Sequence, residues 1–213
     1  MRQRNPCRLE ARSGWGSAAE AVVNWPVFLI LVCWCAFFSA FVAGHLRVRR
    51  MRRPDSPPEK HILTAGSYRL GWLLQLAGFL GVVLVLQGGR EPGVYRILGG
   101  FALAGISLGL VWAAVRHLGK QWKIAAVVAD GHELITSRPY AFLRHPIYAS
   151  LLGMVLSTAV LLGRWPESLA GLAILIAGTE VRVRAEESIL LEAFPVQYRQ
   201  YRTRTKAYLP WLR

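Results

Sequence analysis

His132 to Tyr148 reads H-E-L-I-T-S-R-P-Y-A-F-L-R-H-P-I-Y. Two His, two Arg, two Pro and two Tyr are packed into it, and an apolar run begins at Pro146. Proline suits the first turn of a helix, where a missing N–H costs nothing, so a helix is expected to start there. Taken singly, Arg138 and Arg144 read as basic anchors beside a membrane span, and Tyr140 and Tyr148 as members of an interfacial aromatic belt. A second polar cluster changes that reading. E-V-R-V-R-A-E-E, from Glu180 to Glu187, stands at the far end of the next apolar segment. Two such clusters bracketing a helical hairpin face each other at one membrane surface.

The rest of the chain is apolar enough to be read around that hairpin. Of 213 residues, 54% are hydrophobic, and the formal charge is +14, most of it from Arg. The mean hydropathy of +0.32 is high for a soluble domain. The charge lies between long apolar runs rather than on one face, which argues against nucleic acid as a partner and for a positive-inside bias. Cys7, Cys33 and Cys35 form neither a disulfide framework nor a zinc-type spacing, and no metal site is expected.

Residues 1–24 show no apolar period and are expected to be a weakly ordered tail. The first apolar run starts late and is long enough to span a bilayer, so it does not read as a signal peptide. Trp25 to Gly44 carries no charged side chain and exits into H-L-R-V-R-R-M-R-R. Leu70–Gly89 and Ile97–Val115 form the second and third spans. Gly99, Gly100, Gly105 and Gly109 in the third predict close helix contact in lipid. Arg116 to His145 is expected to lie at the interface, with a short amphipathic helix around Trp122. The fourth span is Pro146 to Gly163. The fifth is uncharged only from Ser168 to Thr179, and its helix is expected to continue through Glu180 and Arg184 to about Phe194, where Pro195 intervenes.

The fold class is therefore all-α: a polytopic, multi-pass integral membrane protein with about five transmembrane helices. It divides into a tail (1–24), an N-terminal scaffold of three spans (25–117) and a C-terminal region (118–213) holding both polar clusters. With five spans, the Arg47–Lys60 loop, the Arg116–His145 segment and the C-terminus share one side. All three are basic, so that side is assigned to the cytoplasm. The four arginines of the N-terminal tail then lie outside, against the rule, but the denser basic loop after the first span prevails.

Ionisable groups next to a span face a polar cavity rather than lipid. Arg182 and Glu186 share one face of the fifth helix at a spacing of four, and Glu180, Arg184 and Glu187 share another. Opposite His132, His145 and two tyrosines, such groups suit a small zwitterionic ligand. Carboxylates accept ribose hydroxyls or an ammonium, and Arg grips an anion.

The run from His132 to Tyr148, then E-E-S-I-L-L-E-A-F-P-V-Q-Y-R-Q-Y and a closing L-P, resembles the isoprenylcysteine carboxyl methyltransferase family and its phospholipid methyltransferase relatives. The resemblance covers about Leu118 to Leu209. It implies an integral membrane enzyme that uses S-adenosyl-L-methionine, held on the cytoplasmic face by the C-terminal half. By that resemblance His132, Glu133, Leu134 and Ile135 bind the cofactor, with Tyr140, then His145, Pro146, Ile147 and Tyr148, and finally Glu186. Arg182, one turn before Glu186, contacts the substrate and takes part in catalysis. The chain departs from the family at three common glycines, replaced by Arg138, Ser150 and Pro195, so local turns are expected to differ there.

Methyl transfer is an in-line displacement at a sulfonium methyl. A carboxylate acceptor is already a nucleophile, and the enzyme then works by positioning and by excluding water. An amine or phenol acceptor must lose a proton, for which Glu187, Glu180 or a tyrosine is the candidate base. The expected partners are the bilayer and a lipophilic or lipidated acceptor. Two other readings stand beside this one. An NADPH-dependent sterol-reductase-like oxidoreductase would show Arg-His-x-Asn-Tyr and Arg-Asp where this chain has R-H-P-I-Y and E-E. A membrane scaffold or haem protein would need ligands among His45, His117, His132 and His145, no two of which pair on one span.

Overall fold

A computed structural model describes residues 25–51, 65–84, 92–122, 133–163 and 167–208. The expected tail, most of the first basic loop and His132 lie outside the described residues. Six helices follow in order: α1 (Trp25–Met51), α2 (Ala65–Leu84), α3 (Val94–Leu118), α4 (Pro146–Leu162), α5 (Glu167–Ala193) and α6 (Pro195–Arg204). No strand occurs among the described residues; one isolated parallel bridge joins Leu143 to Lys206.

Among the described residues, three helices are long and apolar enough to cross a membrane: Trp25–Met51, Gly66–Leu84 and Val94–Leu118. Their outward faces are apolar. Phe28, Leu31, Leu70, Leu98 and Ile106 are all more than half exposed, as expected where the solvent is hydrocarbon. Helix α4 is apolar but only 17 residues long, the lower limit for a crossing. Helix α5 runs to Ala193 and stops, as the sequence predicts, before Pro195, which begins the next helix at its first position.

Two helix pairs organise the interior. Helices α3 and α4 pack against each other, and α1 closes over them with an aromatic face. Trp34 donates its indole N–H to Thr158 Oγ1 at 3.0 Å, and Trp112 donates to the Ala36 carbonyl at 3.2 Å. Arg96 caps the end of α4, donating from Nε to Val160 O at 2.7 Å and from Nη2 to Gly163 O at 2.9 Å.

The second pair, α2 with α5, is antiparallel and meets backbone to backbone. A Cβ at Gly78 would lie 2.4 Å from the Leu175 nitrogen, and one at Gly171 would lie 2.8 Å from the Val82 nitrogen. A Cβ at Gly178 would lie 2.6 Å from the Gln75 nitrogen, and one at Gly71 would lie 2.5 Å from Arg182 Cγ. Small residues here let the two helices touch. The third span behaves otherwise than its glycines suggest. Gly99, Gly105 and Gly109 have nothing within 4 Å of a built Cβ, and only Gly100 is enclosed, against Leu161. The reason is orientation: those three sit on the outward face of α3.

Of the expected amphipathic helix around Trp122 only the start is described, since residues 123–132 lie outside the described residues. That start forms a 3-10 turn, Gly119–Gln121, and Trp122 is buried at its end against Phe41 and His45. Gly119 takes a positive φ of 50°, a conformation that favours glycine, and so turns the chain out of α3. Two of the three glycine replacements sit in ordinary helix: Ser150 inside α4, with Oγ on Ile147 O at 2.7 Å, and Pro195 at the start of α6. Arg138 lies in the turn before Tyr140.

Candidate functional site

The C-terminal chain is stitched to the loop that precedes α4. Arg144 N–H donates to Lys206 O and His145 N–H to Ala207 O, both at 2.8 Å, and Tyr201 O–H donates to Tyr140 O at 2.6 Å. Tyr208 O–H reaches back to Glu180 Oε2 at 3.0 Å. Loop, α4 start, charged half of α5 and C-terminal strap thus converge on one place.

Arg144 and Glu187 stand at its centre. Arg144 donates to Glu187 Oε1 from Nε at 3.0 Å and from Nη2 at 2.9 Å. Its Nη1 donates to the carbonyls of Thr205 and Arg202. His145 stands between two carboxylates, with Nδ1 at 3.5 Å from Glu186 Oε2 and Nε2 at 3.6 Å from Glu187 Oε1. Burial alone would lower the imidazole's pKa, but contact with Glu186 and Glu187 outweighs it and raises the pKa above 6.5. Burial pushes the Glu187 carboxyl up, yet His145 and the Arg144 charge prevail and hold it down at about 2. Tyr148 donates its hydroxyl to Glu186 Oε1. Arg184 pairs with Glu180 at 2.7 Å on the exposed side of α5, as its spacing predicts.

Arg182 faces α2 instead. Its Nη1 donates to Gln75 Oε1 at 2.8 Å, and its Nη2 donates to the Tyr68 hydroxyl. The guanidinium carbon lies 4.5 Å from the centre of the Tyr68 ring and 5.1 Å from that of Tyr148, within cation–π range of both. The same-face spacing of Arg182 and Glu186 is not used for an ion pair; the packing of α2 draws the guanidinium away.

Beside the Arg144–Glu187 pair lies a cavity of about 80 Å³, walled by Leu118, Leu134, Ile135 and Leu190 with the polar groups of Glu133, Tyr140, Tyr198 and others. The Tyr140 hydroxyl is buried and has no hydrogen-bond partner, as is the case for His145 Nε2 and Arg182 Nε, while the buried Tyr198 hydroxyl faces the Glu187 carboxylate. Burial pushes both tyrosine hydroxyls well above their ordinary pKa, so both remain donors at neutral pH. The cavity thus combines apolar walls with buried donors, the composition of a ligand site, at a volume of about 80 Å³ that is well below the roughly 300–1,000 Å³ of a pocket enclosing a drug-sized molecule.

Residues 100–192 match the isoprenylcysteine carboxyl methyltransferase (ICMT) family. A solved structure of a eukaryotic intramembrane Ras methyltransferase, ICMT, superposes with a TM-score of 0.52 at 20% identity, over 71% of this chain and 55% of that one. That likeness is one of fold. Two curated proteins are similar in sequence. The cobalt-zinc-cadmium resistance protein CzcN of Cupriavidus metallidurans is 32% identical over 114 residues, half of each chain. The protein-S-isoprenylcysteine O-methyltransferase of Schizosaccharomyces pombe is 33% identical over 79 residues, 37% of this chain and 34% of that one. The chain thus spans half the length of the first curated relative and about a third of the second.

Within the matched region the structure brings together His145, Tyr148, Glu186 and Glu187, and sets Tyr140 with Glu133, Leu134 and Ile135 along the cavity. Pro146 opens α4 from a buried position and Ile147 packs against the core. Arg182 stands apart from the cavity, on the α2 side. Four contributors are not anticipated by the sequence reading: Arg144 as a buried partner of Glu187, Tyr198, and Tyr68 with Gln75. Three of those four lie outside the family match, and the sequence reading singled out none of those three.

Proposed function

We propose that this chain is an integral membrane methyltransferase that uses S-adenosyl-L-methionine and acts on a lipophilic acceptor of the isoprenylcysteine carboxylate or lipid headgroup type. The observation that carries the reading is the His145–Glu186–Tyr148 cluster at the start of α4, within electrostatic reach of Tyr140, whose buried hydroxyl is unmet in the apolar-walled cavity. In this reading α4 and the apolar half of α5 complete five spans, and the polar clusters face the cytoplasm.

S-adenosyl-L-methionine, when bound, supplies a methyl group on a sulfonium ready for displacement. Leu134, Ile135 and Leu190 hold its apolar parts, Tyr140 and Tyr198 donate to its polar ones, and Glu186 offers charge to a cationic group. Glu186 is oriented for this by Tyr148 and His145. Glu187, at a pKa of about 2 and tied to Arg144, is a weak proton acceptor and keeps the strap and α5 in register. A carboxylate acceptor needs no base, so the residues act by orienting and by keeping water out. Arg182 holds the acceptor's anionic group.

Equilibrium binding to the full chain in lipid nanodiscs tests the reading. S-adenosyl-L-methionine is expected to bind and NADPH not. Glu186→Gln, His145→Ala and Tyr198→Phe are each expected to weaken binding about fivefold or more, the loss of one hydrogen bond or charged contact. Unchanged affinity in all three moves the cofactor elsewhere; NADPH binding in their place makes the protein an oxidoreductase.

A further inference from the structure

Arg182 is the arginine of the C-terminal half whose guanidinium is held by neutral groups of another helix. Gln75 presents its carbonyl oxygen to Nη1 at 2.8 Å, and the Tyr68 hydroxyl accepts from Nη2. Among the described residues no carboxylate makes an ion pair with Arg182, whereas Arg144 and Arg184 each have one. Gln75 is itself fixed. It is 6% exposed, and its Nε2 donates to Thr179 Oγ1 at 2.9 Å, while Thr179 donates to the Leu175 carbonyl at 2.8 Å. That relay sets which end of the amide faces Arg182, since the nitrogen is committed to Thr179. Gly71 and Gly178 let α2 approach closely enough for the contact to form.

Arg182 is half-buried and forms no ion pair with a described carboxylate, so its guanidinium can still take an anionic ligand. Its Nε is buried and without a partner, and its guanidinium carbon lies 5.1 Å from the ring centre of Tyr148, the residue whose hydroxyl meets Glu186. Positive charge is thus held in one orientation next to the proposed cofactor cluster. We infer that Tyr68 and Gln75 of α2 are positioning residues that hold Arg182 uncompensated, so that the site selects acceptors carrying an anionic group. The inference rests on the methyltransferase reading and deepens it. It gives α2, outside the family match, a part in acceptor choice.

The test compares two ligands, N-acetyl-S-farnesylcysteine and its carboxamide, which differ in the anionic group alone. Each is titrated into the full chain in nanodiscs, and S-adenosyl-L-methionine is titrated separately. The wild type is expected to prefer the carboxylate by about tenfold or more, the contribution of a charge-assisted hydrogen bond. Gln75→Glu gives Arg182 an internal carboxylate and is expected to bring that preference within about twofold of unity. Tyr68→Phe, which keeps the ring, is expected to reduce it about threefold and carries the test if the Glu variant does not fold. In an Arg182→Ala background Gln75→Glu is expected to change nothing further. S-adenosyl-L-methionine affinity stays within about twofold in the Gln75 and Tyr68 variants, where a merely structural role would weaken all three ligands together. In turnover the same variants raise the acceptor KM more than they lower kcat. Equal affinity of the wild type for both ligands, or a preference that survives in both variants, overturns the inference. Failure of S-adenosyl-L-methionine to bind, with the carboxylate preference and its loss intact, overturns the methyltransferase reading and leaves the anion site standing.

Discussion

Arg144 Nη2 lies 2.9 Å from Glu187 Oε1, with both side chains 3% exposed, and so joins the loop before α4 to the far end of α5. A buried pair of this kind is costly to break from one side, because the remaining charge is left without a partner. Arg144→Met or Glu187→Gln alone is expected to lower stability by about 3–5 kcal/mol, and the double substitution by clearly less than the sum. Thermal unfolding of the four proteins in one detergent measures the coupling.

Glu187 also sets an acid limit. Its folded pKa of about 2 lies below its ordinary 4.5, so its contribution is complete above pH 4.5 and is lost as the pH falls toward 2. Melting curves between pH 7 and pH 3 are expected to show a steep acid limb in the wild type. In Glu187→Gln that limb is shallower by on the order of 2–3 kcal/mol.

The glycines of α2 and α5 are expected to be intolerant and those of α3 permissive. Gly78→Val places side-chain atoms against the backbone of Leu175 and is expected to cost about 2 kcal/mol or more. Gly105→Ala and Gly109→Ala meet nothing within 4 Å and are expected to be neutral or to gain up to about 1 kcal/mol from helix propensity. Expression level and melting temperature of the two sets, compared side by side, decide this.

A five-span arrangement places Ser56 and Thr203 on one side of the membrane and Gly93 on the other. Single cysteines at these positions, in a background lacking the native three, are expected to label in that pattern with an impermeant maleimide. Opposite labelling of Ser56 and Thr203 is incompatible with it.

What the sequence makes legible follows from how local each signal is. Pro146 marks a helix start and Pro195 the end of α5 by their own chemistry, whereas the helix that Pro195 opens is not anticipated, and the extension of α5 through Glu180–Glu187 follows from an uninterrupted helical pattern. Arg144 is different: beside a span an arginine reads as an interfacial anchor, and its burial depends on Glu187 and on carbonyls of the strap. The glycines of α3 were equally misleading, since close packing needs a partner on the same face. Gly71 with Gly78 and Gly171 with Gly178 share a seven-residue spacing, but the match is visible only when the two helices are set side by side. Gln75 is a neutral residue in an apolar run, and nothing local tells that an arginine 107 residues later needs its oxygen.

That separation bears on how the protein is made. Helix α2 enters the membrane well before α5 is synthesised, and until then its glycine face and the amide of Gln75 have no α5 to meet. In lipid an unpaired amide is poorly tolerated, and a strip of glycines offers little surface for lipid tails to cover. The nascent α2 is therefore expected to need cover from other early helices until α5 arrives. Substitutions on this seam are expected to appear first as poor biogenesis, with degraded chains and low yield, even where the surviving molecules bind and turn over normally.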